Sequence, residues 1–155
     1  RSAFVWEVKL SKGEVPGTAS GTNTTTCGTA TVSESSVTVD AVTLSKPGDK
    51  CSYPITVQNK GDIDANITNI AATSPSGIPC DNTVEGKLSC GNVTYKLTSD
   101  IEGLNVLKKG TQRVLKNNGT ADFYLVVSYD VSANALNQEV THTGAGFTVV
   151  YGQAN

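Results

Sequence analysis

The chain has 155 residues, of which 37% are hydrophobic and only 17% charged, and its net charge is −2. This length suits one domain with a sizeable core. The absence of a basic run argues against a nucleic-acid partner, and no apolar stretch approaches the roughly eighteen residues of a membrane span. Because the chain begins at Arg1 without an initiator Met, we expect a mature, secreted product that has no membrane segment after processing.

The first predicted element is an apolar strand at the N-terminus. Alternate residues of this strand share one apolar face, formed by Phe4, Trp6, Val8 and Leu10. Chain termini are ordinarily frayed and polar, and an unpaired strand of this kind promotes aggregation in water. We therefore expect this face to be covered by a sheet.

A stretch rich in Gly and Thr follows the first strand. Such a composition is typical of a linker without regular structure. We therefore divide the chain into an N-terminal donor strand over residues 1–11, a flexible linker over residues 12–27 and a β-sandwich domain over residues 28–155.

Period-two alternation of apolar residues recurs through the rest of the chain and predicts an all-β fold. Strands are predicted over residues 28–33, 36–44, 50–58, 65–73, 92–98, 104–107, 112–115, 121–131 and 138–151. Residues 74–89 are predicted to form a loop, and residues 132–137 a single helical turn. So many strands in one domain indicate a sandwich of jelly-roll or immunoglobulin-like topology.

The four cysteines, Cys27, Cys51, Cys80 and Cys90, lack the C-x-x-C spacing of zinc and redox sites. In an exported protein they are expected to form two disulfides, for which three connectivities exist. We favour Cys27–Cys51 and Cys80–Cys90, because the second pair brackets a short, turn-like segment.

The N-x-[ST] sequence occurs at Asn23, Asn66, Asn92 and Asn118. These asparagines are candidate N-glycosylation sites if the chain is secreted. Several such matches are expected by chance in a chain rich in Asn and Thr.

No residue pattern indicates catalysis, a metal or a cofactor. His142 is the single histidine, and we expect it on the surface; one histidine cannot form an H-E-x-x-H zinc site, and no G-x-S-x-G motif is present. The run Asp62-Ile-Asp64-Ala-Asn66 opens like a calcium loop, but Ile67 and Thr73 replace the required Gly and Glu. We interpret this run as a turn and the protein as a non-enzyme.

The apolar N-terminal strand has two ways to be covered. It pairs with its own domain as an ordinary first strand, or it inserts into a neighbouring copy by strand addition. Burial of its four apolar side chains would contribute roughly 6–12 kcal/mol before ordering costs. The long linker favours exchange between copies, which is a head-to-tail contact and builds an open homopolymer.

Three parts of the sequence resemble the TasA/camelysin group: the apolar N-terminal strand, the phrase Val42-Thr-Leu-Ser-Lys-Pro-Gly-Asp49 leading into Tyr53-Pro-Ile-Thr-Val-Gln-Asn-Lys-Gly61, and the closing strands with Phe123-Tyr-Leu-Val-Val-Ser-Tyr129 and Phe147-Thr-Val-Val-Tyr151. That group comprises secreted β-sandwich proteins of bacterial biofilm matrix fibres, with archaeal relatives in threads and bundling pili.

The resemblance implies a jelly-roll subunit of an extracellular filament, joined to identical subunits by its N-terminal strand and able to bundle with neighbouring filaments. Phe4, Trp6, Val8 and Leu10 would be its donor face. The metalloprotease activity described for some camelysin relatives is not carried over, because the chain has no zinc motif. The cysteines and the glycosylation sequences favour the archaeal branch.

Two alternatives stay open. A chaperone-usher-like pilin also uses an N-terminal donor strand and ends near a tyrosine, but Tyr151 lies four residues before the C-terminus and the rest of the chain matches less well. A monomeric cell-surface or carbohydrate-binding sandwich predicts clustered, exposed aromatic residues. The aromatic residues Tyr95, Phe123, Tyr124 and Tyr129 lie mostly within predicted strands instead.

Overall fold

The computed structural model describes residues 5–132 and 138–154, and all its regular elements are β-strands. None of the described residues belongs to a helix that could cross a membrane. In chain order the strands are β1 (Val8–Leu10), β2 (Gly13–Val15), β3 (Thr18–Ser20), β4 (Thr26–Cys27), β5 (Ala30–Val32), β6 (Ser36–Val39), β7 (Val42–Leu44), β8 (Lys50–Asn59), β9 (Ala65–Thr73), β10 (Lys87–Cys90), β11 (Val93–Thr98), β12 (Gly119–Tyr129), β13 (Val140–His142) and β14 (Gly146–Gln153).

The strands form three antiparallel sheets. The largest has the order β1-β8-β12-β11-β10, with β3 also pairing with β8. The second has the order β2-β5-β6-β14-β9, and the third, which is smaller, has the order β13-β7-β4. The predicted all-β sandwich is confirmed.

The core lies between the sheets and follows the alternation of the long strands. In β8, Tyr53, Ile55 and Val57 are buried, whereas Pro54 is exposed and Thr56 half-buried. β8 pairs with β12 over ten residues, so that Phe123, Leu125 and Val127 join the same inner layer. Alternate residues of a strand point to opposite faces, and β-branched and aromatic side chains pack well on a pleated surface.

Two predicted strands are each divided in the structure. The segment 36–44 forms β6 in one sheet and β7 in another, and the segment 138–151 forms β13 and β14 in the same two sheets. At both breaks the buried positions shift by one residue, since Val39 is followed by Val42 and His142 by Ala145. Each predicted strand therefore joins two strands whose alternation differs in phase.

Other boundaries also differ from the predictions. Residues 104–107 and 112–115 are not strands; each contributes a single bridge, Val106 to Thr98 and Val114 to Ala65. The predicted loop over residues 74–89 ends early, because β10 begins at Lys87. Apart from Ser132, the predicted helical turn lies outside the described residues.

The expected flexible linker over residues 12–27 is corrected by the structure, which forms β2, β3 and β4 there. β2 pairs with β5, β3 with β8 and β4 with β7. Gly17 lies between two of these strands, and a Cβ atom there would be 2.7 Å from the ring of Tyr53. The small residues of this stretch let the backbone pack closely against the sandwich. The stretch is therefore part of the folded domain and not a free linker.

Candidate functional site

The N-terminal arm, defined here as residues 5–20, lies along the edge of the largest sheet. Its first strand, β1, is antiparallel to β8, with Val8 opposite Asn59 and Leu10 opposite Val57. Main-chain bonds continue the pairing towards the N-terminus, since the N–H of Asp62 donates to the carbonyl of Val5 over 3.1 Å. In the single chain, the arm therefore completes its own sheet.

The predicted donor face is buried unevenly. Leu10 is 3% exposed and lies in the core, and Val8 is partly buried against it. Trp6 is 45% exposed, although it shares their face in the sequence pattern. Phe4 lies outside the described residues. Pairing at home is the first of the two alternatives drawn from the sequence, and exchange with a second copy stays a prediction.

The arm crosses between the two main sheets. β1 and β3 border β8 in one sheet, and β2 between them borders β5 in the other. Glu34 lies at the crossing, where its carbonyl accepts the N–H of Leu10 over 2.9 Å and its carboxylate lies 3.4 Å from Lys9 Nζ and 4.0 Å from Lys12 Nζ. These ion pairs are exposed and contribute little. The arm closes the side of the sandwich between β8 and β5.

The segment just beyond the arm is attached to the body through Asp49. The buried Asp49 carboxylate accepts hydrogen bonds from the N–H and hydroxyl of Thr22, at 2.9 and 2.8 Å, and from the N–H groups of Ser45 and Lys46, both at 3.0 Å. Burial alone would raise the pKa of Asp49, but these four hydrogen bonds together lower it to about 2. The carboxylate thus stays charged and holds two loops together.

Both disulfides have the connectivity that was favoured. Cys27 is bonded to Cys51, which joins β4 to β8 just beyond the arm, and Cys80 is bonded to Cys90 at the end of β10. None of the cysteines is free. Two intramolecular disulfides indicate an oxidising environment.

The expected surface position of His142 is wrong. His142 lies in β13 and is 6% exposed; its Nδ1 is 3.2 Å from the hydroxyl of Tyr95, and the two rings are stacked. Burial lowers the pKa of His142. The polar neighbours of His142 in the sequence, Thr141 and Thr143, hid the fact that β13 turns this side chain inward.

Tyrosine hydroxyls form a further group of buried contacts that the sequence did not indicate. Besides the Tyr95–His142 pair, Tyr53 donates to the carbonyl of Gly28 over 2.6 Å, and Tyr129 donates to that of Gln138 over 3.2 Å. These tyrosines belong to the largest sheet, and their partners lie in or beside the three-stranded sheet. Each satisfied hydroxyl therefore links the two sheets across the core.

The candidate glycosylation sites differ in exposure. Asn23, Asn92 and Asn118 are exposed, and Asn66 is half-buried in β9. The first three lie outside the strands, where a bulky glycan meets least obstruction. Whether any of the four carries sugar stays a prediction.

The calcium-like run has structural partners instead. Asp62 accepts the N–H of Val5 over 2.9 Å. Asp64 accepts Arg113 Nη2 and the N–H of Lys116, each at 2.9 Å, and these bonds, with the nearby positive charges, lower the pKa of Asp64. Within residues 5–132 and 138–154, no three His, Cys, Asp or Glu side chains are grouped to hold a metal ion.

No protein-family model matches the chain, and no curated protein or solved structure matches it either.

Proposed function

We propose that this protein is a secreted structural subunit that polymerises head to tail outside the cell, with the N-terminal strand of each copy completing the sheet of the next. One observation carries the proposal. β1 is the edge strand of the largest sheet, and the residues just before it, Val5 and Trp6 at 54% and 45% exposure, stay uncovered in the single chain. The resemblance to TasA/camelysin fibre proteins supports the same assembly.

Exchange of this strand conserves most of its contacts. A second copy offers the same β8 edge, so that Val8 and Leu10 would enter the same core and the main-chain bonds would be replaced one for one. Strand exchange between identical copies therefore costs little energy, and the contact is head to tail, which leads to an open fibre. Burial of Val5 and Trp6 at the new junction adds to the stability of the polymer.

The contacts of the arm also indicate which part moves. From Gly17 onwards the chain is fixed to its own body by Tyr53, by the β3–β8 pairing and by the Asp49–Thr22 bonds. Pro16, just before, is exposed and has no N–H to lose from a hydrogen bond. We infer that residues up to Val15 exchange and that the hinge lies at Pro16.

Paired cysteines on the arm and on β8 test whether the strand is exchanged between copies. Lys9 and Gln58 are opposite each other in β1 and β8 and do not belong to the core, so Lys9→Cys with Gln58→Cys can form a disulfide across that pair. Fibres of this double variant, oxidised after assembly and separated by non-reducing denaturing electrophoresis, are expected to give a ladder of covalent multimers. Either single variant alone gives no ladder.

A second pair locates the hinge. Glu14 and Thr31 are opposite each other in β2 and β5 and are both exposed, so Glu14→Cys with Thr31→Cys gives the same ladder if the hinge is at Pro16. Monomer bands from this pair, with a ladder from the first, would move the hinge to residues 11–12. Monomer bands from both pairs in assembled fibres, or a chain that sediments as a monomer at every concentration, would overturn the exchange.

A further inference from the structure

Three lysines lie on the outer face of the largest sheet. Lys50 in β8, Lys96 in β11 and Lys87 in β10 alternate with core residues along their strands, so their side chains face away from the core. They line a cleft of about 410 Å³, here called the lysine cleft, together with the loop of residues 102–104. This cleft is on the solvent side of the sandwich, and no residue of the N-terminal arm lines it.

The lysine cleft brings three positive charges onto one face of the sheet. Lys87 and Lys96 are direct cross-strand partners, an arrangement of like charges that destabilises a sheet. The ion pairs found within residues 5–132 and 138–154 include none of the three lysines; Lys50 Nζ donates to the carbonyl of Glu102 over 3.1 Å. Bound negative charge would relieve the repulsion.

Two acidic residues also line the cleft, Glu102 and Asp130. Asp130 is engaged by the hydroxyl of Thr94 over 2.7 Å, which positions its carboxylate beside β11. Residues 133–137, which follow Ser132 in the sequence, include no acidic residue. Three lysines against two carboxylates leave the cleft positively charged in a chain whose overall charge is −2.

The spacing of the lysines favours an extended ligand. The strand order β8-β12-β11-β10 separates Lys50 from Lys87 by three strand spacings, which is about 14 Å. A single phosphate or carboxylate ion would contact both only if the two side chains extended towards each other across the sheet. A chain with repeated negative charges can contact both, and it would run across the strands.

The remaining lining residues suit a sugar chain. Half-buried Ser89 and Ser128 offer hydroxyl groups, and the 76% exposed Leu104 offers apolar surface for the C–H face of a sugar ring. Single-stranded nucleic acid instead needs exposed aromatic rings on which bases stack. The one aromatic residue that lines the cleft, Tyr129, is only 2% exposed. We propose that the lysine cleft binds an acidic, carboxylate-bearing polysaccharide.

The test compares two polymers that differ only in charge. The intact native protein is titrated by calorimetry with polygalacturonate and with its methyl-esterified form, at low and at high salt. The proposal expects at least tenfold tighter binding of the free acid, which weakens as salt rises because counterions are released. Equal binding of the two polymers, or no binding of the acid, would overturn it.

Matched variants assign the binding to the cleft. Lys87→Ala with Lys96→Ala should lower the affinity at least tenfold and make the salt dependence shallower, with thermal unfolding unchanged or at a higher temperature. Lys60→Ala with Lys116→Ala removes the same charge from exposed positions at the other end of β8 and β12 and should change the affinity less than twofold. An equal loss in both variants, or tighter binding of single-stranded DNA than of polygalacturonate through the same lysines, would contradict the assignment.

Discussion

Asp49 holds Thr22 from two sides: one carboxylate oxygen accepts the N–H of Thr22 at 2.9 Å, and the other accepts its hydroxyl at 2.8 Å. The same carboxylate accepts two N–H groups at the start of the turn between β7 and β8. The residue that ends the Lys-Pro-Gly-Asp turn thus also fixes the chain that leads out of the N-terminal arm. The Lys-Pro-Gly-Asp pattern of this turn is visible in the sequence, but the contact between Asp49 and Thr22 is not.

Replacement of Asp49 by Ala should lower the free energy of unfolding by about 3 kcal/mol, because it leaves buried N–H groups without an acceptor. Urea denaturation at neutral pH measures the change. Asp40→Ala is the matched control: Asp40 is exposed, and its loss should cost no more than about 0.5 kcal/mol. Equal destabilisation by the two variants would show that the Asp49 contacts do not stabilise the fold.

The Asp49 carboxylate also makes the free energy of unfolding depend on pH in the acidic range. The pKa of Asp49 is about 2 in the folded protein against an ordinary value of 3.8, so the unfolded chain takes up the proton more readily. The contribution of Asp49, about 2 kcal/mol, is present above about pH 4 and is lost as the pH falls towards 2. Asp49→Asn should therefore show a shallower fall in the free energy of unfolding over this range than the native chain. Parallel curves would contradict this.

Buried His142 should give a second pH dependence, at higher pH. Burial lowers the pKa of His142 in the folded protein, so the unfolded state binds more protons below the ordinary histidine pKa of about 6.5. Stability therefore decreases as the pH falls through the ordinary histidine pKa of about 6.5. His142→Gln should show a smaller decrease in thermal melts around this pH, and an unchanged slope would show that His142 does not cause it.

Gly21 should be hard to replace. Its φ is +112°, and a Cβ atom there would lie 2.3 Å from the carboxylate oxygen Oδ1 of Asp49. Gly21→Ala should cost about 3 kcal/mol, because it combines backbone strain with displacement of Asp49. Gly48 also has a positive φ, +93°, but open space around its Cβ position, and Gly48→Ala should cost only about 1 kcal/mol. Chemical denaturation of both variants tests the difference.

Trp6 and Leu10 should separate assembly from folding. Leu10 is 3% exposed, and Leu10→Ala should lower the stability of the monomer by about 3 kcal/mol. Trp6 is 45% exposed, and Trp6→Ala should change monomer stability by less than about 1 kcal/mol while making fibres dissociate at lower denaturant concentration. Fibre turbidity and monomer circular dichroism measure the two effects. Fibres of Trp6→Ala as stable as native ones would exclude Trp6 from the junction.

The bounds of the long strands were largely predictable, because inside–outside alternation is a local property of the pleated chain. β9 and β11 differ from the predicted strands by no more than one residue at either end, and β8 ends one residue later than predicted. The favoured disulfide pairing also followed from local reasoning, since Cys80 and Cys90 bracket a short segment. His142 was misplaced, because in the three-residue strand β13 the alternation is too short to show an inner face.

The sequence by itself determined that this chain forms a β-sandwich, that its turns lie at Pro, Gly and Asn clusters, and that its first strand has an apolar face. Only the tertiary structure decided that the Gly- and Thr-rich stretch forms one strand in each of the three sheets, that Asp49 binds Thr22, and that the largest sheet presents three lysines on its outer face. The reason is that alternation and turn chemistry act between neighbouring residues, whereas pairing depends on the position of distant strands after the core has formed.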